Sequence, residues 1–191
     1  MNRSEVEAVF RQYGPVVMRR ACAILGNLDE AKDALQEVFI KALVSKDAFR
    51  KECSATTWIY RITTNVCLNV LRARKRRDLL HAASAEHQSD LAAACGPTID
   101  IDQRLLLQKV LAEADDVWAQ AAIYVYVDGM SYAEAASVLG VSQRTVGNFL
   151  RRFQQFSSDF LEQASRATPN ERASFDAGEG LGRGFAEESS S

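Results

Sequence analysis

The stretch SYAEAASVLGVSQRTVGNFLRR, residues 131–152, contains two short helical patterns joined by a glycine corner. Ser131 and Glu134 have the spacing of a capping box, which predicts that a helix begins there. Gly140 can adopt the left-handed conformation that ends a helix, and Ser142 can cap the next one. Two capped helices at this spacing are typical of a helix-turn-helix, which makes duplex DNA the first partner to consider. An ordinary helical hairpin with a solvated polar face is the alternative.

The second of these helices has an apolar side and a polar side. Val146, Leu150 and Phe153 recur at helical spacing, so we expect them to pack inward. The opposite side can face a groove of the DNA duplex. Its candidate DNA-binding residues are Ser142, Gln143, Arg144, Thr145, Asn148, Arg151 and Arg152.

Length and composition restrict the chain to one or two compact folded units. It has 191 residues, of which 47% are hydrophobic and 25% charged, and it is too apolar for disorder throughout. The four cysteines form no CxxC pair, and no basic-then-apolar leader follows Met1, so we expect a cytoplasmic protein. No apolar run approaches the roughly 20 residues needed to cross a bilayer, so we expect no membrane insertion.

The net charge of −2 conceals a strong asymmetry along the chain. Residues 1–77 carry 15 basic and 8 acidic side chains, whereas residues 78–102 carry 5 acidic and no basic ones. A basic first half followed by an acidic segment predicts that the first half contacts phosphates.

Helical periodicity predicts an all-α fold of two small domains. Residues 1–77 contain three amphipathic patterns and form the first domain. Residues 78–102 lack a sustained apolar stripe, which predicts a flexible acidic linker. Residues 103–165 are expected to form a second helical domain that contains the helix-turn-helix. Residues 166–191 turn to Gly, Glu and Ser, which is typical of a disordered tail.

Polar residues ahead of the second and third helical patterns are candidate N-caps. We expect Asp29 to cap the second helix and Thr56 or Thr57 to cap the third. The third pattern ends in a basic cluster, which consists of Arg72, Arg74, Lys75, Arg76 and Arg77.

Three motifs in this order resemble one family. They are DALQEVFIKA at residues 33–42, ATTWIYRITTNV at residues 55–66 and SYAE at residues 131–134, with a basic run and an acidic segment between the last two. The chain resembles the extracytoplasmic-function (ECF) sigma factors of bacterial RNA polymerase. The resemblance implies an alternative sigma factor that binds core polymerase, directs it to promoters and promotes DNA melting. An anti-sigma factor is a further partner that the resemblance implies.

The resemblance places core polymerase docking on the second helix. In the family this helix packs on the clamp region of the β′ subunit. The docking residues carried over are Asp33, Gln36, Glu37, Phe39 and Lys41. The residues themselves fit this role, because an apolar stripe would leave Gln36, Glu37 and Lys41 as a polar outer face. A merely solvated face of an amphipathic helix is the alternative.

The third helix resembles the family segment that opens the minus-ten promoter element. Melted DNA exposes bases that need a stacking surface and a backbone that needs cations, and this segment offers both. The candidate residues are Phe49, Trp58, Tyr60, Arg61, Asn65, Asn69 and Arg72. For Trp58 a core position is the alternative, because tryptophan is highly buried on average.

The helix-turn-helix, which in the family reads the minus-thirty-five element, departs from the family pattern. Gly147, Asn148 and Phe149 stand where the family places a basic residue, a serine and an arginine. Glycine within a helix costs about 1 kcal/mol relative to alanine, and lost cations remove phosphate contacts. This departure keeps two alternatives open. They are a helix-turn-helix regulator that acts without polymerase and a degenerate sigma-like interaction protein.

The sequence offers no pattern typical of an enzyme or a metal site. Paired carboxylates, a nucleophile elbow and a phosphate-binding glycine loop are missing from it. His81, His87 and Cys95 match no standard ligand spacing. We therefore expect a non-enzymatic protein without metal or cofactor.

Overall fold

A computed structural model describes residues 3–45, 54–80 and 101–166, and these residues are helical apart from short connections. The helices are α1 (Arg3–Leu25), α2 (Leu28–Val44), α3 (Ala55–Leu80), α4 (Ile101–Glu113), α5 (Asp116–Ala122), α6 (Tyr132–Leu139) and α7 (Gln143–Arg166). A π-helical turn, Ile123–Val127, follows α5 directly. The all-α prediction is confirmed. Most of the predicted linker and of the predicted tail lies outside the described residues, and Arg166, the first residue of the predicted tail, is the last residue of α7.

Helices α1, α2 and α3 pack against one another around a shared apolar core. Val17 of α1, Val38 of α2 and Val66 and Leu68 of α3 are almost fully buried. These residues recur at helical spacing, so burial of one stripe on each helix stabilises the bundle. The packing holds the outer surfaces of α2 and α3 in fixed positions.

The N-caps of α2 and α3 lie two or three residues ahead of the predicted ones. Asn27 caps α2, because its Oδ1 accepts hydrogen bonds from the backbone N–H groups of Asp29 and Glu30 at 2.9 and 3.0 Å. Ser54 precedes α3, and its hydroxyl accepts from the Thr57 N–H at 3.0 Å. Asp29 and Thr57 therefore lie in the first turns of α2 and α3, where their backbone N–H groups donate to the caps. The predictions of Asp29 and of Thr56 or Thr57 as caps were wrong, because several neighbouring polar residues can cap and the backbone geometry selects one.

The predicted capping signals of the helix-turn-helix are all present. The Ser131 hydroxyl accepts from the Glu134 N–H, and the Glu134 carboxylate accepts from the Ser131 N–H at 2.8 Å, which completes the capping box. Gly140 ends α6 with φ +72°. The Ser142 hydroxyl then accepts from the Thr145 N–H at 3.1 Å at the start of α7. Val146 and Leu150 of α7 are buried, as their spacing predicts.

Removing the capping box gives a direct test of this local structure. We expect Ser131→Ala to lower the free energy of unfolding by about 1 kcal/mol, because the first turn of α6 loses its side-chain acceptor. Thermal unfolding followed by circular dichroism measures the effect. Ser137→Ala on the exposed face of the same helix is the matched control and should leave stability equal or slightly higher. Equal losses in the two variants would contradict the capping role.

The two halves of the chain pack against each other, which the sequence did not predict. Helix α4 lies against α3, and α1 contacts the π-helical turn. Gln108 of α4 is buried and donates from Nε2 to the carbonyl oxygens of Leu25 at 2.7 Å and Ile24 at 3.3 Å. The side chain thus caps the C-terminus of α1 from the other half. At Gly26, with φ +64°, a Cβ would lie 2.7 Å from Gln108 Nε2, so a side chain there would disturb this cap.

Candidate polymerase and nucleic-acid interfaces

The outer face of α2 combines charged and apolar side chains. Asp33, Gln36 and Lys41 are exposed, and Lys41 forms an ion pair with Glu37 at 2.8 Å. This pair spans one helical turn near the surface, so it adds little stability. Four of the five predicted docking residues therefore lie on an accessible face.

Phe39, the fifth predicted docking residue, lies elsewhere. Its side chain is only 7% exposed, and its ring packs against Phe10 of α1 with centroids 4.8 Å apart. Phe39 is a core residue that fixes α2 on α1, so it supports the outer face of α2 from beneath.

Two apolar residues that sequence reasoning missed lie on the same outer face. Ile40 is 61% exposed and Val44 is 79% exposed, one helical turn apart. Exposed aliphatic side chains at this spacing form a small apolar patch beside the Glu37–Lys41 pair. The signal was present in the sequence, because Ile40 and Val44 fall outside the periodic buried stripe of α2.

Helix α3 presents the candidate DNA-melting residues in two groups. Trp58 and Tyr60 are half-buried and pack partly against the core. Arg61, Asn65 and Asn69 are exposed at helical spacing on one surface. The arrangement brings aromatic and hydrogen-bonding groups together on one helix. Phe49 lies outside the described residues.

Tyr60 contacts a buried arginine that the sequence did not single out. The Arg20 guanidinium lies over the Tyr60 ring, 4.4 Å from its centroid, and donates to the Tyr60 carbonyl oxygen. It also donates to both carboxylate oxygens of Asp128 at 2.7 and 2.6 Å and to the Thr64 hydroxyl at 2.7 Å. Arg20 and Asp128 are 108 residues apart in the chain, so no periodic pattern could have paired them.

The basic end of α3 is paired with carboxylates. Arg72 forms an ion pair with Asp116, and Lys75 forms one with Glu113 at 2.5 Å. Arg74 pairs with Glu30 and donates to Gln108 Oε1 at 2.7 Å. Arg77 lies 3.9 Å from the same Glu30 carboxylate. The predicted cation cluster therefore exists, but in this conformation four of its five cations have protein partners.

The helix-turn-helix presents most of its predicted residues at the surface. Ser142, Gln143, Arg144, Asn148, Arg151 and Arg152 are exposed and Thr145 is half-buried. Ser142 and Thr145 are occupied in capping, since their hydroxyls lie 2.8 Å apart. Arg151 donates to the Asn148 side chain at 3.1 Å, and Arg152 lies 5.8 Å from the Trp118 ring centroid. Gln143 and Arg144 are exposed at the start of α7.

The chain is similar to known proteins along most of its length. The model of sigma-70 region 2 matches residues 9–77, and that of sigma-70 region 4 matches residues 119–152, together more than half of the chain. The ECF sigma factor SigE of Mycolicibacterium smegmatis is 30% identical over 165 residues, which cover 85% of this chain and 63% of SigE. The chain belongs to the ECF sigma factors.

A further relative and one solved structure are also similar to this chain. The ECF sigma factor SigW of Bacillus subtilis is 27% identical over 149 residues, which cover 73% of this chain and 80% of SigW. The sigma factor RpoE from Bartonella quintana, solved in complex with the anti-sigma factor NepR, superposes with a TM-score of 0.52 at 20% identity. That likeness covers 83% of this chain and 97% of RpoE, and it shows a shared fold. This ECF sigma factor spans less than two thirds of the length of SigE.

In this ECF sigma factor the two unusual residues of α7 have simple packing environments. Phe149 is half-buried and packs against the core. A Cβ on Gly147 would lie 3.6 Å from the Tyr132 ring, an ordinary van der Waals contact, so the site has room for alanine. Gly147 is therefore not needed for the geometry of the helix.

Both cysteines of the described residues, Cys22 and Cys67, are buried. Burial raises the pKa of Cys67 to about 12, so its thiol stays protonated at neutral pH. Within residues 3–45, 54–80 and 101–166, no group of three or more His, Cys, Asp or Glu side chains is placed to hold a metal ion. His81, His87 and Cys95 lie outside these ranges.

No helix in the described part of the chain is long and apolar enough to span a membrane.

Proposed function

We propose that this protein is an alternative sigma factor that binds core RNA polymerase, directs it to specific promoters and promotes DNA melting. One observation carries the proposal. The apolar and charged face of α2, the aromatic and polar face of α3 and the helix-turn-helix fall, in this order, within the two sigma-70 matches. A helix-turn-helix regulator that acts alone would have no use for the first two surfaces.

The polymerase-docking surface consists of Ile40 and Val44 with a rim of Asp33, Gln36, Glu37 and Lys41. Protein interfaces commonly have an apolar centre whose burial supplies affinity and a polar rim that sets orientation. A helical partner such as the clamp region of the polymerase β′ subunit fits this small, convex patch. Phe39 contributes indirectly, because it anchors α2 on α1 through Phe10.

Truncating the apolar centre tests the docking surface. We expect Ile40→Ala combined with Val44→Ala to weaken binding to core polymerase by about tenfold or more, because central apolar side chains carry most interface energy. Competition binding with a labelled sigma factor measures the loss. The control is Leu107→Ala with Leu161→Ala, two residues that are 37% and 39% exposed on other helices. If the double variant bound core polymerase with unchanged affinity, the polymerase would have to dock on another surface.

The minus-ten surface lies on α3 and in the preceding segment that includes Phe49. Trp58 and Tyr60 offer partly accessible aromatic faces for unstacked bases. Arg61, Asn65, Asn69 and Arg72 offer hydrogen bonds to base edges and to the displaced backbone. Stacking on an aromatic ring stabilises a base by about 1–3 kcal/mol, which helps to offset the cost of unpairing.

The helix-turn-helix would position the complex on the minus-thirty-five element. Gln143 and Arg144 lie at the exposed start of α7, the part of a recognition helix that contacts base edges. Ser142, Thr145, Asn148, Arg151 and Arg152 complete the surface. Because Gly147 and Phe149 replace two cations of the family pattern, we expect a weaker electrostatic contribution from this module.

We infer a cytoplasmic, non-enzymatic protein without a cofactor, because the polymerase and the chromosome are its working partners. An anti-sigma factor is a further proposed partner. The likeness to RpoE solved with NepR motivates this proposal, since the two folds share their helical arrangement. When the protein is purified from the native host in the uninduced state, a second protein should co-purify with it.

Footprinting with and without core polymerase distinguishes the three candidate functions. A sigma factor needs core polymerase to protect a promoter and then to expose unpaired bases near the start site. Protection of a duplex by the protein alone would indicate a conventional regulator. Absence of protection in both conditions would indicate a sigma-like interaction protein that does not touch DNA.

A further inference from the structure

A row of three polar pairs joins the outer surface of α3 to the region where α4 ends and α5 begins. Asn65 accepts from Gln120 at 3.2 Å, Arg72 pairs with Asp116 and Lys75 pairs with Glu113 at 2.5 Å. The three α3 residues follow each other by seven and three positions, so they share one face of the helix. Their partners run in the opposite direction along the second half. We call these three pairs the interhelical ladder.

The ladder occupies groups that the proposed function assigns to promoter DNA. Asn65 and Arg72 belong to the proposed minus-ten surface, and Lys75 belongs to the basic end of the same helix. An arginine that holds a carboxylate cannot offer the same N–H groups to a phosphate, because both anions accept charge-assisted hydrogen bonds from them. Asp116 and Glu113 therefore stand where the DNA backbone would have to bind.

Two buried contacts keep the halves in this arrangement. Gln108 caps the C-terminus of α1 and accepts from Arg74 at 2.7 Å. Arg20 and Asp128 form a two-pronged ion pair whose side chains are only 4% and 7% exposed. Such buried polar contacts tolerate little displacement, because a buried polar group loses much free energy when it loses its partner. They fix the register in which the ladder forms.

From these contacts we propose that the protein is autoinhibited by its own second half, in which Glu113 and Asp116 act as an internal substitute for the DNA backbone. The inference rests on the proposed function, because it assumes that α3 binds DNA. DNA must displace the ladder before it reaches Asn65, Arg72 and Lys75. We call molecules with an intact ladder closed and molecules with a broken ladder open. The apparent affinity for DNA then equals the intrinsic affinity multiplied by the open fraction.

Zero-length crosslinking tests the closed arrangement without DNA. A carbodiimide should join Lys75 to Glu113 in the free full-length protein, because their charged groups are in contact. Mass spectrometry of the digested monomer identifies the joined peptides, and Glu113→Gln should abolish them. Single-stranded DNA or core polymerase should reduce the yield by several fold. Absence of the Lys75–Glu113 crosslink in the free protein would overturn the proposal whatever the protein does at promoters.

Charge-neutral substitutions test the inhibitory role. We expect Glu113→Gln with Asp116→Asn to raise the affinity for a labelled single-stranded DNA about tenfold at fixed ionic strength, because the closed state loses both anions. Asp159→Asn with Glu162→Gln removes the same charge from α7 and should change the affinity by less than about twofold. Equal gains in the two variants would mean a general charge effect and would overturn autoinhibition. The exposed single variant Asp116→Asn serves as well if the double variant folds poorly.

The outcomes separate this proposal from the proposed function. A crosslink together with a selective gain in DNA affinity supports autoinhibition. A crosslink without any such gain overturns it, even if the protein opens promoters with core polymerase. Failure of both wild type and variants to open any promoter with core polymerase would instead contradict the sigma function.

Discussion

Replacing Arg61 by alanine is expected to slow promoter opening by about tenfold or more while leaving the affinity for core polymerase unchanged. Arg61 is exposed on α3, between the half-buried aromatic residues and Asn65. A charge-assisted hydrogen bond is worth about 1.5–3 kcal/mol, which corresponds to a loss of this size if the contact forms only with melted DNA. Abortive transcription under single-round conditions measures the opening rate.

Arg11→Ala is the matched control for Arg61→Ala. Arg11 is exposed on α1 and lies outside the proposed DNA surface, so the variant loses the same charge elsewhere. Its opening rate should stay within about twofold of the wild type, as expected for a distant screened charge. A large loss of affinity for core polymerase in Arg61→Ala would contradict the proposed division of roles between α2 and α3.

Replacing Asp128 by leucine is expected to lower the free energy of unfolding by about 3–5 kcal/mol. The substitution leaves Arg20 buried without its carboxylate partner, and an uncompensated buried charge is strongly destabilising. Replacing both partners, as Arg20→Met with Asp128→Leu, should recover stability to within about 1–2 kcal/mol of the wild type, because no buried charge remains. Urea denaturation followed by circular dichroism gives the free energies of unfolding of the wild type, the single variant and the double variant.

The control for Asp128→Leu is Asp159→Leu on α7. Asp159 is half-exposed and accepts a hydrogen bond from Gln155 of its own helix at 2.9 Å, so the loss should stay below about 1 kcal/mol. A similarly small loss for Asp128→Leu would mean that Arg20 reaches water. In that case the two halves do not pack in solution as they do in the structure.

The local features of the helix-turn-helix were predicted well. The capping box at Ser131 and Glu134, the left-handed Gly140 and the buried Val146 and Leu150 all follow from interactions within a few residues. Such interactions are encoded in spacing, so a single sequence is enough to read them. The exposed polar residues of α2 were predicted for the same reason.

Contacts between distant parts of the chain were not predictable. The Arg20–Asp128 pair and the capping of α1 by Gln108 join residues that are more than 80 positions apart. Periodicity tells which face of a helix is buried but not which partner covers it. The basic cluster of α3 was correctly located, but its pairing with carboxylates of the second half was not.

Phe39 illustrates a different limit. Its motif suggested a contact residue, whereas its position in the apolar stripe of α2 suggested a buried one. The structure places it against Phe10, because a large aromatic side chain gains more from filling the α1–α2 interface than from contact with water. A motif can therefore mark a residue that supports an exposed helix face from beneath without belonging to it.

The most direct test of the central claim is permanganate footprinting of unpaired thymines. The DNA is a set of promoter fragments selected from the host genome by the protein bound to core polymerase. We expect reactive thymines around the start site only when core polymerase and the protein are both present, and a strongly reduced signal with Arg61→Ala. Fragments that the protein and core polymerase bind together but leave fully paired would contradict it.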